Sequence, residues 1–338
     1  MRRLLLQRGV AAVVNIVLVS LLIFILVRLA PGNPVELLLP VEASAEEREA
    51  LAHHWGLDRS LPAQYMAYAA NLVRGDLGTS LYFQVPVRQL LWERIPPSLE
   101  LIACALLLIA LVAMPLGVAA ALRPRTAVDH LSATVAICGI SLPPFWLAIL
   151  LVLVFGGYLN LLPVSGRASY GAEIVPVTGF QVVDTALAGN WSGLADTLRH
   201  LILPAVSLAG VGIALFTRLL RSGMLEALRQ DYVLTARAKG LSERAVVWKH
   251  ALRNALIPVL TAWGLAFTFM LSGSVIVETI FAWPGIGRLA VQAIGNRDYP
   301  LMQGIVLAFV VLVIVAHLAI DVLYALVDPR IRYGIAEK

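Results

Sequence analysis

The sequence predicts an all-α membrane protein with six transmembrane helices, and three observations carry that prediction. Of its 338 residues 59% are hydrophobic and only 14% charged, where an ordinary soluble domain has roughly a quarter of its residues charged. Six apolar runs (10–29, 99–122, 131–158, 201–220, 256–281 and 301–327) each reach or exceed the roughly 20 residues that cross a bilayer core. Between the fourth and fifth runs lies a basic, glycine-punctuated stretch, 218–258, holding 8 of the 26 Lys+Arg. That is far more than a connecting hairpin requires.

Arg2 and Arg3 ahead of the first run imitate a signal peptide. The run is too long for one, since a signal-peptide core spans roughly 7–15 residues, so it reads as a retained span. The external segment that follows, 31–97, contains AEEREALAHHWG, a helix with Ser44 as N-cap and Gly56 as its stop, and then a turn-rich GDLGTSL at 75–81. The third and sixth runs exceed the minimum, so their ends protrude or tilt. Pro115, Pro143, Pro144 and Pro204 interrupt helical hydrogen bonding within or beside spans and act as kinks. Segment 160–199 is Gly- and Pro-rich with little periodicity, and its Asn190-Trp191-Ser192 reads as a chance sequon. The two cysteines, Cys104 and Cys138, lie inside apolar runs, so neither a disulfide framework nor a metal site is expected.

Spans of even number alternate sides. With the N-terminus inside, the inner set holds 16 Lys+Arg and the outer 10, and the outer ones are diluted among acids such as Glu42, Glu46, Glu47, Glu49 and Asp58. The positive-inside rule therefore favours cytoplasmic termini and places 218–258 in the cytoplasm. Within that stretch Met224 to Ala238 are good helix formers, with Leu225, Leu228 and Tyr232 at helical spacing. Gly240 then stops the run as a left-handed C′ residue, and Ser242 caps a second short helix. On that helix Ala245, Trp248, Leu252 and Ala255 form one stripe, with Lys249, His250 and Arg253 off it. Composition allows two readings: a basic amphipathic loop lying on lipid headgroups, or a docking element that inserts into a partner protein.

The residue order separates them. TARAKGLSERAVVWKHALRNALIP resembles the cytoplasmic coupling loop (the EAA motif) of bacterial ABC importer permeases of the dipeptide/oligopeptide/nickel class. On that resemblance Thr235, Ala236, Arg237, Ala238, Lys239, Gly240 and Leu241 form the motif core, followed by His250, Ala251, Leu252, Arg253, Asn254 and Pro258. Where the general motif begins Glu-Ala-Ala this chain has Leu234-Thr235-Ala236, a difference shared by the peptide-type branch. RLAPGNPV at 28–35, PPSLELIACALLLIALVAMPLGVAAAL at 96–122, SLPPFWLAILLVLVFGGYLNLLPVSGR at 141–167, ETIFAWPGIGRLAVQAIGNRDYPLMQG at 278–304 and DPRIR at 328–332 are similar to the same branch, closest to its first-gene (B-type) dipeptide permeases.

The resemblance implies the type I ABC importer transmembrane fold. Residues 1–97 would form the first helix and a small external subdomain, 98–327 the transmembrane core with the coupling loop, and 328–338 a cytoplasmic tail. It also implies the partners: a homologous second permease, two ABC ATPase subunits docked on 218–258, and an extracytoplasmic substrate-binding protein, in a bacterial inner membrane and with no nucleic acid. No GxxxxGK[ST] occurs, so this chain is no enzyme and carries no cofactor, and ATP and Mg would be bound by the ATPase subunits. The cargo implied is a dipeptide or oligopeptide, with nickel chelates, glutathione, opines and haem as alternatives within the class.

Asp321, with His317 one turn earlier, is a charge in the last span, suited either to a structural contact or to the pathway. Ser272 lies among small residues of span five, which usually serve close packing; paired with His317 it is a weak candidate for an intramembrane protease. Glu278, at the outer end of the same span, suits a gate or an interfacial anchor equally. A secondary transporter working alone would show inverted repeats, and none is evident.

Overall fold

The structure is a computed structural model that describes residues 2–29, 44–54, 58–169, 171 and 176–327. Expectations placed on residues 30–35, Gly56 and the 328–338 tail fall outside the described residues. Regular structure among the described residues is helical, apart from one isolated antiparallel bridge between Thr79 and Pro86. The helices are α1 (Arg2–Leu29), α2 (Ala45–His54), α3 (Leu61–Val73), α4 (Val87–Leu122), α5 (Ala127–Ser141), α6 (Pro144–Tyr158), α7 (Gln181–Leu187), α8 (Trp191–Ala227), α9 (Asp231–Ala238), α10 (Glu243–Ile280), α11 (Ile286–Gly295) and α12 (Tyr299–Val327).

Five of these, α1, α4, α8, α10 and α12, are long and apolar enough to cross a membrane, and the pair α5 and α6 passes the same test together. That pair is bent by 101°, so the third run, expected as one span, is broken in the middle. The cause is local: Pro143 and Pro144 lack N–H donors, and a residue before proline is driven out of the helical region. Leu142 accordingly sits at φ −99°, ψ 115°, and Pro143 at φ −60°, ψ 141°. Pro115 and Pro204, in contrast, lie inside unbroken helices.

The chain forms two compact units, one from the described residues of Met1–Ile95 and Arg288–Val315, the other from those of Pro96–Gly287 and Ala316–Lys338. In the first unit α2 starts in a capping box: Ser44 Oγ accepts from the Glu47 N–H at 3.2 Å, while Glu47 Oε2 accepts from the Ser44 N–H at 2.8 Å. Helix α3 packs on α1 through Phe24, Tyr65 and Tyr68, and the Arg28 guanidinium lies 4.8 Å from the centre of the Phe24 ring. The turn at 78–86 is pinned by Asp298, which is fully buried and accepts from Ser80 Oγ at 2.5 Å and from the Tyr82 N–H at 3.1 Å.

In the second unit α8 is the axis, with α5, α6, α7 and α10 packed against it. Its 37 residues extend about 55 Å, well beyond a bilayer core of about 30 Å. Asn190 caps its start by accepting from the Gly193 N–H at 2.9 Å, which gives the first sequon residue a structural job. Where α5 crosses α8 the contact is made by small residues: a Cβ on Gly139 would lie 2.8 Å from Ala214 Cβ and 2.9 Å from the Gly210 carbonyl oxygen. Without side chains to hold the backbones apart the helices touch directly.

Candidate functional site

The segment between α8 and the membrane part of α10 folds as a helical hairpin. Helix α8 runs to Ala227, and the continuous helix expected from Met224 to Ala238 is interrupted at 228–230. Helix α9 then ends in a Schellman motif: the Gly240 N–H bonds the Arg237 carbonyl at 2.9 Å and the Leu241 N–H bonds the Ala236 carbonyl at 3.3 Å. Gly240 adopts φ +74°, as its expected C′ role requires. Ser242 caps α10 by accepting from the Ala245 N–H at 3.4 Å.

Here the expectation of a second short helix is corrected. Glu243 leads without a stop into the membrane-spanning helix, and Pro258 lies inside it. A π-helical stretch at Val246–Ala251 adds a residue to the turn and rotates the buried face. Val246, Val247, Ala251, Leu252 and Ala255 point inward, while Trp248, expected on the buried stripe, is 55% exposed. Val233 and Ala236 of α9 pack on Val246 and hold the hairpin closed.

Most of the motif residues are exposed. Thr235, Arg237, Ala238, Lys239, Gly240, Leu241, Arg253 and Asn254 are exposed, His250 is half-buried, and Ala236 faces the small core. Arg237 meets Glu243 through Nε to Oε1 at 2.7 Å and Nη2 to Oε2 at 3.2 Å, and that pairing raises the pKa of the guanidinium. Both side chains are largely in water, so the pair orients Arg237 more than it stabilises the fold. Leu234, Leu241 and Trp248 are also exposed. The hairpin thus carries exposed apolar side chains among cations, chemistry that suits either a protein partner or lipid headgroups.

The candidate pathway residues are scattered. Glu278 is fully buried, accepts from Ser98 Oγ at 2.6 Å, and Ser98 Oγ in turn accepts from the Ile286 N–H at 2.8 Å. Trp283 Nε1 donates to the Pro97 carbonyl at 2.9 Å. Gly285 and Gly287 lie against Glu278 so closely that a Cβ on either would press on its carboxylate. Nearby, Arg167 Nη2 donates to Glu100 Oε2 at 2.5 Å, and Glu100 Oε1 accepts from the Val182 N–H at 2.7 Å. This network ties the loops after α6 and α10 to the start of the apolar part of α4. Ser272 is exposed and donates to its own helix at the Thr268 carbonyl, 3.3 Å away. Asp321 is half-buried on α12. His317 lies against Gly264, about 12 Å along α10 from Ser272 by helix rise, so the protease pairing is not assembled.

One constellation escaped the sequence reading altogether. Asp129, in the first turn of α5, receives Arg221 of α8 in a bidentate pair, Nε to Oδ1 at 2.5 Å and Nη2 to Oδ2 at 2.8 Å. The Arg125 N–H adds a third bond to Oδ2 at 2.9 Å. The partners are 92 residues apart in sequence, and only their positions beside apolar runs hinted at a role.

Comparison with known proteins places this architecture. Residues 113–333 match the family described as the binding-protein-dependent transport system inner membrane component, and residues 1–102 match the N-terminal family of the same membrane components. The chain belongs to this family of inner-membrane permease components, which span the membrane several times. Its similarity narrows further to the peptide branch. It is 45% identical to the di/tripeptide transport system permease protein DppB of Pseudomonas aeruginosa, over 93% of this chain and 94% of that one. It is 40% identical to the dipeptide transport system permease protein DppB of Escherichia coli K12, and 37% identical to the oligopeptide transport system permease protein AppB of Bacillus subtilis, each over 93% of this chain and 94% of the relative.

Proposed function

We propose that this chain is the permease subunit of an ATP-driven importer of dipeptides or oligopeptides, forming half of the translocation pathway together with a homologous second permease. The observation that carries the reading is the hairpin that follows Ala227 within the 218–258 stretch: a folded, cationic segment with exposed Leu234, Leu241 and Trp248, in a chain similar to peptide permeases over nearly its whole length. Two ABC ATPase subunits dock on that hairpin and its counterpart in the second permease, and they bind the ATP and Mg. This subunit performs no hydrolysis itself. A substrate-binding protein delivers the peptide from outside, and both termini of this chain lie in the cytoplasm. Residues 1–97 serve as a helix and external subdomain attached to a transport core at 98–327.

In this mechanism ATP binding closes the ATPase dimer and moves the docked hairpins. Thr235 to Leu241, with His250, Arg253 and Asn254, transmit that motion because the hairpin has its own small core and moves as a body. Helix α10 continues from it into the membrane, so displacement of the hairpin is displacement of a span. Ser272, exposed on α10, and Asp321, half-buried on α12, are candidates for the pathway lining, and Glu278, buried in its network with Ser98, is a candidate for a gate or a structural anchor. The test is purification of the chain with its genomic neighbours, followed by uptake of a labelled dipeptide into vesicles. ATPase subunits should co-purify, and uptake should require ATP. A chain that purifies without ATPase subunits and transports without ATP would overturn the reading.

A further inference from the structure

We infer that Asp129 is a two-position ion-pair acceptor, bound to Arg221 in this structure and to Arg218 in a second conformation of α8 against α5, so that motion of the docking hairpin is passed to the broken span α5–α6. This rests on the proposed transport function. The argument starts from the shape of the α5–α8 contact. At Gly139 α5 meets only the Ala214 methyl and the Gly210 carbonyl of α8, with no long side chain between the two backbones. Toward Asp129 and Arg221 they leave a cavity of 530 Å³, which those two residues line together with His130, Thr217 and Arg218. A smooth crossing beside an open wedge is a pivot, and the ion pair bridges its open side.

Charge then limits the alternatives. Asp129 is mostly buried, its side chain 10% exposed, and a carboxylate there is strongly disfavoured without a cationic partner. The cavity holds one carboxylate and two arginines. Arg218 is exposed, and no carboxylate pairs with it among the described residues. It stands three residues before Arg221 on the same helix, where side chains are about 5–6 Å apart at Cβ and therefore neighbours. A rotation of α8 by about 60° together with an axial slide of about 4.5 Å would bring Arg218 to the place of Arg221, and the reach of the arginine side chain lets a part of that motion present Arg218 to Asp129. Packed helices with two discrete bonded arrangements are how small displacements become switches.

The rest of Asp129's surroundings fits a fixed acceptor with exchangeable donors. The Arg125 N–H, in a residue at φ +62°, holds the carboxylate from its own side of the contact. Arg221, whose side chain is 35% exposed, can leave into water without stranding a buried charge. Thr217 Oγ1, one turn before Arg221, is buried with no hydrogen-bond partner among the described residues, so the cavity wall has polar capacity that this arrangement leaves unused. Six residues beyond Arg221, α8 ends at Ala227 and the hairpin begins. A pull on the hairpin therefore acts on α8 close to the pair.

The test uses the assembled transporter in membranes, in a background carrying Cys104→Ser and Cys138→Ser. Two cysteine pairs are compared, Asp129→Cys with Arg221→Cys and Asp129→Cys with Arg218→Cys, under oxidative cross-linking without nucleotide and after vanadate trapping with Mg and ATP. The expected result is reciprocal: trapping changes the two cross-linking rates at least 5-fold in opposite directions. Independently, Arg218→Gln and Arg221→Gln should each lower ATP-driven uptake at least 10-fold in a complex that still assembles. Both cross-links unchanged on trapping, or Arg218→Gln transporting within 2-fold of wild type, would overturn the exchange. Loss of ATP-dependent uptake in the unmodified complex would instead count against the transport function, so the two failures are distinguishable.

Discussion

Substituting Gly240 isolates what the hairpin's backbone contributes, because the surroundings of this residue are empty. Nothing lies within 4 Å of the position a Cβ would take, while φ is +74°. Gly240→Ala therefore meets no clash, and its whole effect is the left-handed backbone, which costs a residue with a side chain about 1–2 kcal/mol. That energy is set against the two bonds that close the turn, Gly240 N–H to Arg237 and Leu241 N–H to Ala236. One or two kcal/mol shifts a two-state population by about 5–30-fold, so amide exchange at residues 240 and 241 should accelerate by that factor while the rest of α8 and α10 stays protected. Gly240→Asn is the control, since asparagine tolerates this conformation, and its exchange should stay within about 2-fold of wild type. Hydrogen–deuterium exchange with mass spectrometry on the purified complex reads both. An alanine variant exchanging at the wild-type rate, or an asparagine variant faster than the alanine one, would show that the turn is not held by this conformation. Gly240→Glu, which adds bulk and an anion to the docking surface, should abolish uptake and release the ATPase subunits.

The other predictions concern separate parts of the chain. Arg237→Glu should leave thermal stability nearly unchanged, because its pair with Glu243 is exposed, yet eliminate dipeptide uptake; a large loss of stability would assign it a structural role instead. Gly285→Ala places a methyl group on Ser98 Oγ and the Glu278 carboxylate, and thermal unfolding should report a loss of about 1–3 kcal/mol; an unchanged midpoint would show the network to be soft. Asp184 in α7 accepts from Thr178 Oγ1 and from the N–H groups of Val177, Thr178 and Gly179. Burial alone would raise its pKa, but these donors outweigh it and hold the carboxyl below its ordinary 3.8. A carboxylate depressed in this way stabilises fully above its unfolded pKa and loses that contribution as pH falls through the folded one. Protease protection of segment 176–187 should therefore be flat at neutral pH and decline only below about pH 4. Asp184→Asn should remove that decline and lower protection throughout.

Much of this protein follows from residue order alone. The number and length of apolar runs give the spans, because the absence of water in a bilayer leaves a helix no other way to satisfy its backbone. Gly240 and Ser242 mark the hairpin's turn, because left-handed backbone and N-capping are local requirements met by particular residues. The order of side chains from Thr235 to Pro258 carries the family. What the sequence left undecided depends on which residues meet. Pro143 and Pro144 announce a kink, but not that it amounts to 101°. Trp248 sits on the expected stripe at 3.6 residues per turn, and the π-helical stretch, a feature of hydrogen bonding rather than composition, turns it outward. Glu278 reads alike as gate or anchor, and its bond to Ser98, 180 residues away, is visible only in the tertiary structure. Asp129 and Arg221 are unremarkable charges at span ends until α5 and α8 cross at glycines. Local propensities fix helices and turns within a few residues; the pairing of buried charges is a property of helix packing, and only the tertiary structure decided it.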